Sequence, residues 1–160
     1  MMEFIRRHQK KIMVVLFFAC VGIILFLSGQ NGSQAFWLTY RLSCPIAEIF
    51  YENPNYDQIL AVMILMRKIG RCVAFSVFGA MVLMVVDMLW GQKVGWKILI
   101  PASFIIIAFS VFDETRKLLI EGRHCTWQEI AVNIVCGLAG CLIVYWIKRR
   151  KGTRDSHKVA

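Results

Sequence analysis

Four stretches of this chain, at about residues 12–28, 69–90, 94–112 and 128–147, are long and almost wholly apolar. Each is roughly 17–22 residues, which at about 1.5 Å per residue crosses the roughly 30 Å of hydrocarbon in a bilayer. Inside hydrocarbon no water is present to satisfy backbone N–H and C=O groups, so a single crossing segment must be a helix. The expected fold class is therefore all-α: a polytopic membrane protein with a four-transmembrane-helix bundle. Composition agrees, since 58% of the 160 residues are hydrophobic and the mean hydropathy is +0.60. Those values exclude an ordinary soluble domain. The size suits one domain, residues 1–147, followed by a basic tail at 148–160 that reads as disordered. The first apolar run begins after Arg6, Arg7, Lys10 and Lys11, as a signal peptide would. It is longer than a usual signal core and is followed by a poor cleavage sequence, so it reads as a retained anchor.

The net charge of +9 is not spread evenly. Four spans return both termini to one side of the membrane. Twelve Lys and Arg residues fall on that side, against Glu3, Asp87 and Asp155. The other side carries seven basic and seven acidic residues. The positive-inside rule then puts both termini in the cytoplasm of a multi-pass plasma-membrane protein. The whole excess of positive charge sits inside, as a collar for anionic lipid headgroups. This distribution argues for membrane lipids as partners and against nucleic acid. Trp90, Trp96, Tyr145 and Trp146 mark the inner interface, and Trp37, Tyr40 and Trp127 the outer one. Asp87 is expected to reach the inner interface near Lys93.

The outer loop between the first two spans is too apolar for a plain solvated connector. Phe36, Leu38, Leu42, Ile46, Ile49 and Phe50 recur at near-helical spacing, interrupted by Pro45. Asn53-Pro54-Asn55 breaks the pattern again, and Ile59, Leu60, Met63 and Ile64 resume it. The expectation is a short interfacial helical segment in this loop, as one or two helices lying on the outer surface.

Polar residues converge on the outer side. Arg67 and Arg71 are one helical turn apart at the mouth of the second span. Asp113, Glu114, Arg116 and Lys117 end the third, and Arg123 follows in the loop. Glu129 and Asn133, four residues apart, begin the fourth, and Gly137 and Gly140 continue that face with room for another backbone. Ser28 and Gln30 close the first span. Ionisable groups at this depth are costly unless paired, which makes the cluster a candidate site. On these residues alone three readings stay open: ion pairs that fix the bundle's register, a binding site for a polar or anionic headgroup, and a catalytic centre. The proposed ligand-binding set is Ser28, Gln30, Arg67, Arg71, Asp113, Glu114, Arg123, Glu129 and Asn133.

These blocks resemble the VanZ family of membrane proteins. Leu27-Ser28-Gly29-Gln30 stands where the family has Phe-Ser-x-Gln. Arg67-Lys68-Ile69-Gly70-Arg71 stands where it has Arg-Lys-x-x-His, followed three residues on by Glu. Asp113-Glu114, Gly122-Arg123, Glu129 and Asn133 follow the family's Asp-Glu-x-x-Gln, Gly-Arg and Asp-x-x-x-Asn. The likeness runs from Leu27 to Gly140. Four positions depart from it: Arg71 replaces the His, Ala74 the Glu, Lys117 the Gln and Glu129 the Asp. Arg71 removes a proton-shuttle candidate and adds a permanent cation, which favours holding an anion. The resemblance implies an outer-face role linked to resistance to the glycopeptide teicoplanin, with a lipid-linked cell-wall precursor or a glycopeptide as partner.

No other chemistry is signalled. There is no metal-ligand spacing, nucleophile elbow or phosphate loop, and no cofactor is expected. Cys20, Cys72, Cys136 and Cys141 read as small packing residues, while Cys44 and Cys125 both fall outside and could pair. The leading reading is a binding protein. The alternatives are an intramembrane hydrolase or transferase using Asp113 or Glu114 as general base on a lipid-linked substrate, and a structural, partner-binding subunit.

Overall fold

The structure, a computed structural model, describes residues 2–30, 32–90, 96–120 and 125–156. Its elements are α1 (Met2–Ser28), α2 (Gly32–Phe50), α3 (Tyr56–Trp90), α4 (Leu99–Arg116) and α5 (Trp127–Ser156). Single 3-10 turns precede and follow α4, at Trp96–Ile98 and Lys117–Leu119. Among the described residues no element is a strand. Among the described residues, four helical segments are long and apolar enough to span a bilayer: Lys10–Ser28, Tyr56–Trp90, Trp96–Leu119 and Trp127–Arg150.

α3 is the hub, packing against α1, α2, α4 and α5 and most extensively against α5. Three pairings set the register of α3 on α5: Arg71 with Glu129, Ser76 with Cys136, and Asp87 with Lys148. Numbers rise together on both helices, so the two run parallel, with α4 returning between them. Glycine lets them touch. A β-carbon built on Gly79 would collide with the Gly137 carbonyl, and one built on Gly140 with the Ser76 carbonyl. Without a hydrophobic force between helices in lipid, such close backbone packing is a main source of association. Around this crossing Phe75, Phe78, Val82, Leu83, Ala102, Ile106 and Cys141 belong to the buried core. The opposite faces, with Val15, Phe18, Phe26, Phe104, Val135 and Ile143, are exposed and apolar, as a lipid-facing surface should be.

Several boundaries differ from the sequence reading. The segment expected as a separate surface helix at 56–66 is the first third of α3, whose 35 residues extend about 52 Å. Arg67 and Lys68 interrupt its hydropathy but not its backbone. α2 runs through Pro45 and folds back along α3 as an antiparallel hairpin. Thr39 meets Arg67, and the Ser43 hydroxyl lies 3.5 Å from the Met66 sulfur. The corner uses the expected breaker: Asn53 takes a left-handed φ of 60°, which Asn tolerates. The Asn55 N–H then donates to Gln58 Oε1 at 2.9 Å, which is half of a capping box at the start of α3. The tail read as disordered continues α5 to Ser156. Asp87 pairs with Lys148 on α5 at 2.6 Å, where proximity to Lys93 was expected; Lys93 lies outside the described residues. Cys44 and Cys125 are free thiols.

Candidate functional site

Three helix ends meet at one end of the bundle. α4 runs one turn further than the hydropathy of its apolar run suggests. Asp113 and Glu114 therefore lie inside the helix, and Lys117 opens the 3-10 turn that follows. At (i, i+3) spacing Glu114 and Lys117 share a face, and that face points inward: Glu114 is 0% exposed and Lys117 2%. Their ion pair is 2.5 Å long. An unpaired charge at this depth would be far more costly than the pair, so each residue requires the other.

The pair is joined from α5. Thr126 precedes the helix and Glu129 occupies its third position, the spacing of a capping box. Thr126 Oγ1 accepts from the Glu129 N–H at 3.4 Å. The Glu129 side chain does not fold back to complete the box. Its Oε2 instead sits 3.1 Å from Lys117 Nζ and 2.5 Å from Arg71 Nη1 on α3. One carboxylate oxygen thus straddles two cations from two other helices. Its position in the first turn of α5 also places its charge near the positive end of the helix dipole. Arg71, Lys117, Glu114 and Glu129 form a chain of alternating sign with no net charge. The chain grades from closed to open: Glu114 and Lys117 are enclosed, while the side chains of Arg71 and Glu129 are 26% and 39% exposed.

Asn133 lies one turn deeper on α5 and is fully buried, and neither its Oδ1 nor its Nδ2 meets a hydrogen-bond partner among the described residues. Gly137, the next residue on that face, is set against Ile106 and the Phe75 carbonyl. Asn133 is therefore level with Ser110 on α4. Ser110 donates to the Ile106 carbonyl of its own helix. Glu114 Oε1 is likewise buried without a hydrogen-bond partner among the described residues. The cluster thus presents both donor and acceptor capacity behind its ion pairs.

A second knot ties α1 to α4. Arg116 Nη2 donates to the Leu25 carbonyl in the last turn of α1 at 2.5 Å, a favourable place for a cation. Its other neighbour is Asp113, with Nη2 to Oδ1 at 4.0 Å. Ser28 Oγ is buried without a hydrogen-bond partner among the described residues in the same helix end, and Gln30 closes the corner half-buried.

The structure therefore gathers Arg71, Glu114 and Glu129 into one ion-paired cluster with Asn133 one turn deeper behind it, and Asp113 and Ser28 alongside on the α1–α4 knot. Arg67 is turned elsewhere: its Nε donates to Thr39 Oγ1 on α2 at 3.2 Å. Arg123 lies outside the described residues. Lys117 and Arg116 were left out of the proposed set, although both organise it. Lys117 is at (i, i+3) from Glu114, a signal the sequence carries; what it conceals is that this face is the inner one.

A family model described as VanZ/LLP1 matches residues 13–148. No curated protein and no solved structure matches.

Proposed function

Because this chain belongs to the VanZ/LLP1 family of membrane proteins, we propose that it binds an anionic cell-envelope group at the polar end of its bundle, without covalent chemistry. That end faces the exterior, with both termini in the cytoplasm, as the distribution of Lys and Arg favours. The observation that carries the reading is the Glu129 carboxylate, the most exposed member of the cluster, coordinated by Arg71 and Lys117. It marks where a carboxylate or phosphate oxygen is held and acts as an internal occupant that an incoming anion displaces. Charge-assisted hydrogen bonds from a guanidinium and an ammonium suit such an oxygen.

Behind the cations, Asn133 and Glu114 Oε1 hold unused hydrogen-bonding capacity. They favour a ligand that carries amide or hydroxyl groups beside its anion, as a lipid-linked cell-wall precursor does. A protein that engages such a precursor outside the membrane would alter the target of glycopeptides, and this connects the site to teicoplanin resistance.

The test is teicoplanin susceptibility of cells expressing the wild-type chain, Arg71→Ala or Arg67→Ala. Arg71→Ala should lose whatever protection the wild type gives. Arg67→Ala, whose side chain serves the α2–α3 hairpin, should lose less. Equal protection by wild type and Arg71→Ala would end this reading.

A further inference from the structure

Among the described residues, every buried side-chain nitrogen or oxygen without a hydrogen-bond partner lies at the polar end of the bundle. Three of these atoms, Ser28 Oγ, Asp113 Oδ1 and Arg116 Nε, belong to the α1–α4 knot. Other atoms hold the knot in place. Arg116 Nη2 donates to the Leu25 carbonyl, and the guanidinium lies so close to Gly29 that a β-carbon there would stand 3.2 Å from Nη2. Ser28 is in the same turn of α1 as Leu25. Asp113 is 2% exposed, yet Arg116 Nη2 stays 4.0 Å from its Oδ1, too far for a hydrogen bond. A carboxylate oxygen and a guanidinium N–H left unused at this depth are costly. Together they suit a ligand group that both donates and accepts. The Arg116 side chain, 29% exposed, leaves the knot reachable from outside the protein.

Charge narrows the choice of group. Asp113 and Arg116 cancel each other, so an ammonium would meet the guanidinium and a second anion would meet the carboxylate. A neutral group avoids both. The N–H and C=O of a trans amide point in opposite directions, so one amide cannot serve an acceptor and a donor that lie side by side. Two neighbouring hydroxyls can. One donates to Asp113 Oδ1, the other accepts from Arg116 Nε, and Ser28 Oγ can take either role. We propose that the α1–α4 knot is a diol subsite, and that the ligand is a lipid phosphodiester whose headgroup carries neighbouring hydroxyls. This subsite presupposes the anion site at Arg71 and Lys117 and adjoins it. Asp113 and Glu114 are consecutive in α4, and Asp113 and Lys117 are one turn apart on its buried face. Glycerol and sugar headgroups both present this chemistry.

The experiment measures binding of three lipids to the full chain in detergent micelles. Phosphatidylmethanol, phosphatidylglycerol and phosphatidylglucose each carry a single negative charge, and the first has no hydroxyl. Wild type should bind at least one of the other two about tenfold more tightly than phosphatidylmethanol, the effect of one hydrogen bond to a charged group. The tighter of those two identifies the headgroup. Asp113→Ala should bring the ratio close to one, and Ser28→Ala should lower it. Ser28→Ala removes a single oxygen, so it carries the test even if Asp113→Ala does not fold. Arg71→Ala should weaken all three lipids and keep the ratio. Equal binding of the three by wild type, with Arg71→Ala weaker for each, would overturn the diol subsite and leave the anion site standing. A ratio that survives in both Ser28→Ala and Asp113→Ala would overturn the subsite as well. Wild-type affinity for all three in Arg71→Ala, with the ratio still lost in Ser28→Ala, would overturn the anion site and support the diol subsite.

Discussion

Lys117 and Glu114 show how a charge survives inside a membrane protein. Neither has significant exposure, and each neutralises the other at 2.5 Å. Removing one member leaves an uncompensated buried charge. Lys117→Met should therefore destabilise the protein by about 3–5 kcal/mol. Lys117→Met combined with Glu114→Leu should recover most of that loss, because a well-packed apolar pair is often as stable as a buried ionic one. Melting of the purified single and double variants in detergent measures both. Asn133 makes the opposite case. Its amide is buried with neither atom satisfied, a state that costs stability. Asn133→Leu should leave the melting temperature unchanged or higher while abolishing ligand binding. A large loss of stability would assign Asn133 to structure. The acidic residues and Asn133 were legible in the sequence because polar groups stand out against apolar runs. The destination of Arg67 was not, because its partner Thr39 sits on α2, and nothing local indicates that α2 folds back along α3.

At the scale of elements, the α3–α5 contact sets the geometry of everything above it. Gly79 and Gly140 place backbone against backbone, so a side chain at either position forces the helices apart. Gly140→Val should cost about 1–3 kcal/mol, the usual range for overpacking, and should also weaken ligand binding by separating Arg71 from Glu129. A melting curve and a binding isotherm on the same preparation read both effects. The small-residue spacing from Gly137 to Gly140 announced this close approach. The continuity of α3 was hidden, since Arg67 and Lys68 divide its hydropathy into a short and a long run while the helix passes through both. The helical tail was hidden for a similar reason: its basic composition resembles a disordered segment, yet Lys148 is anchored by Asp87 and the Arg150 guanidinium lies over the Trp146 ring.

Across the whole molecule, two ends of unlike character face opposite sides of the bilayer. One holds the compensated cluster and the α2–α3 hairpin. The other holds exposed Trp90, Trp96 and Trp146 and the basic end of α5. The four spans and their order were readable from hydropathy alone, because hydrocarbon thickness sets their length. Their mutual rotation was not, because it depends on glycine contacts between segments distant in sequence. In intact cells, a membrane-impermeant maleimide should label a cysteine placed at Tyr51 and leave one placed at Lys97 unlabelled. The reverse pattern would invert the orientation. Binding of a lipid-linked cell-wall precursor to the protein in nanodiscs, compared among wild type, Glu129→Gln and Arg71→Ala, tests the central claim most directly. Glu129→Gln removes the internal anion and should bind more tightly than wild type, while Arg71→Ala should bind more weakly. Equal affinity in all three, or weaker binding by Glu129→Gln, would contradict a site in which Glu129 holds the place of the ligand.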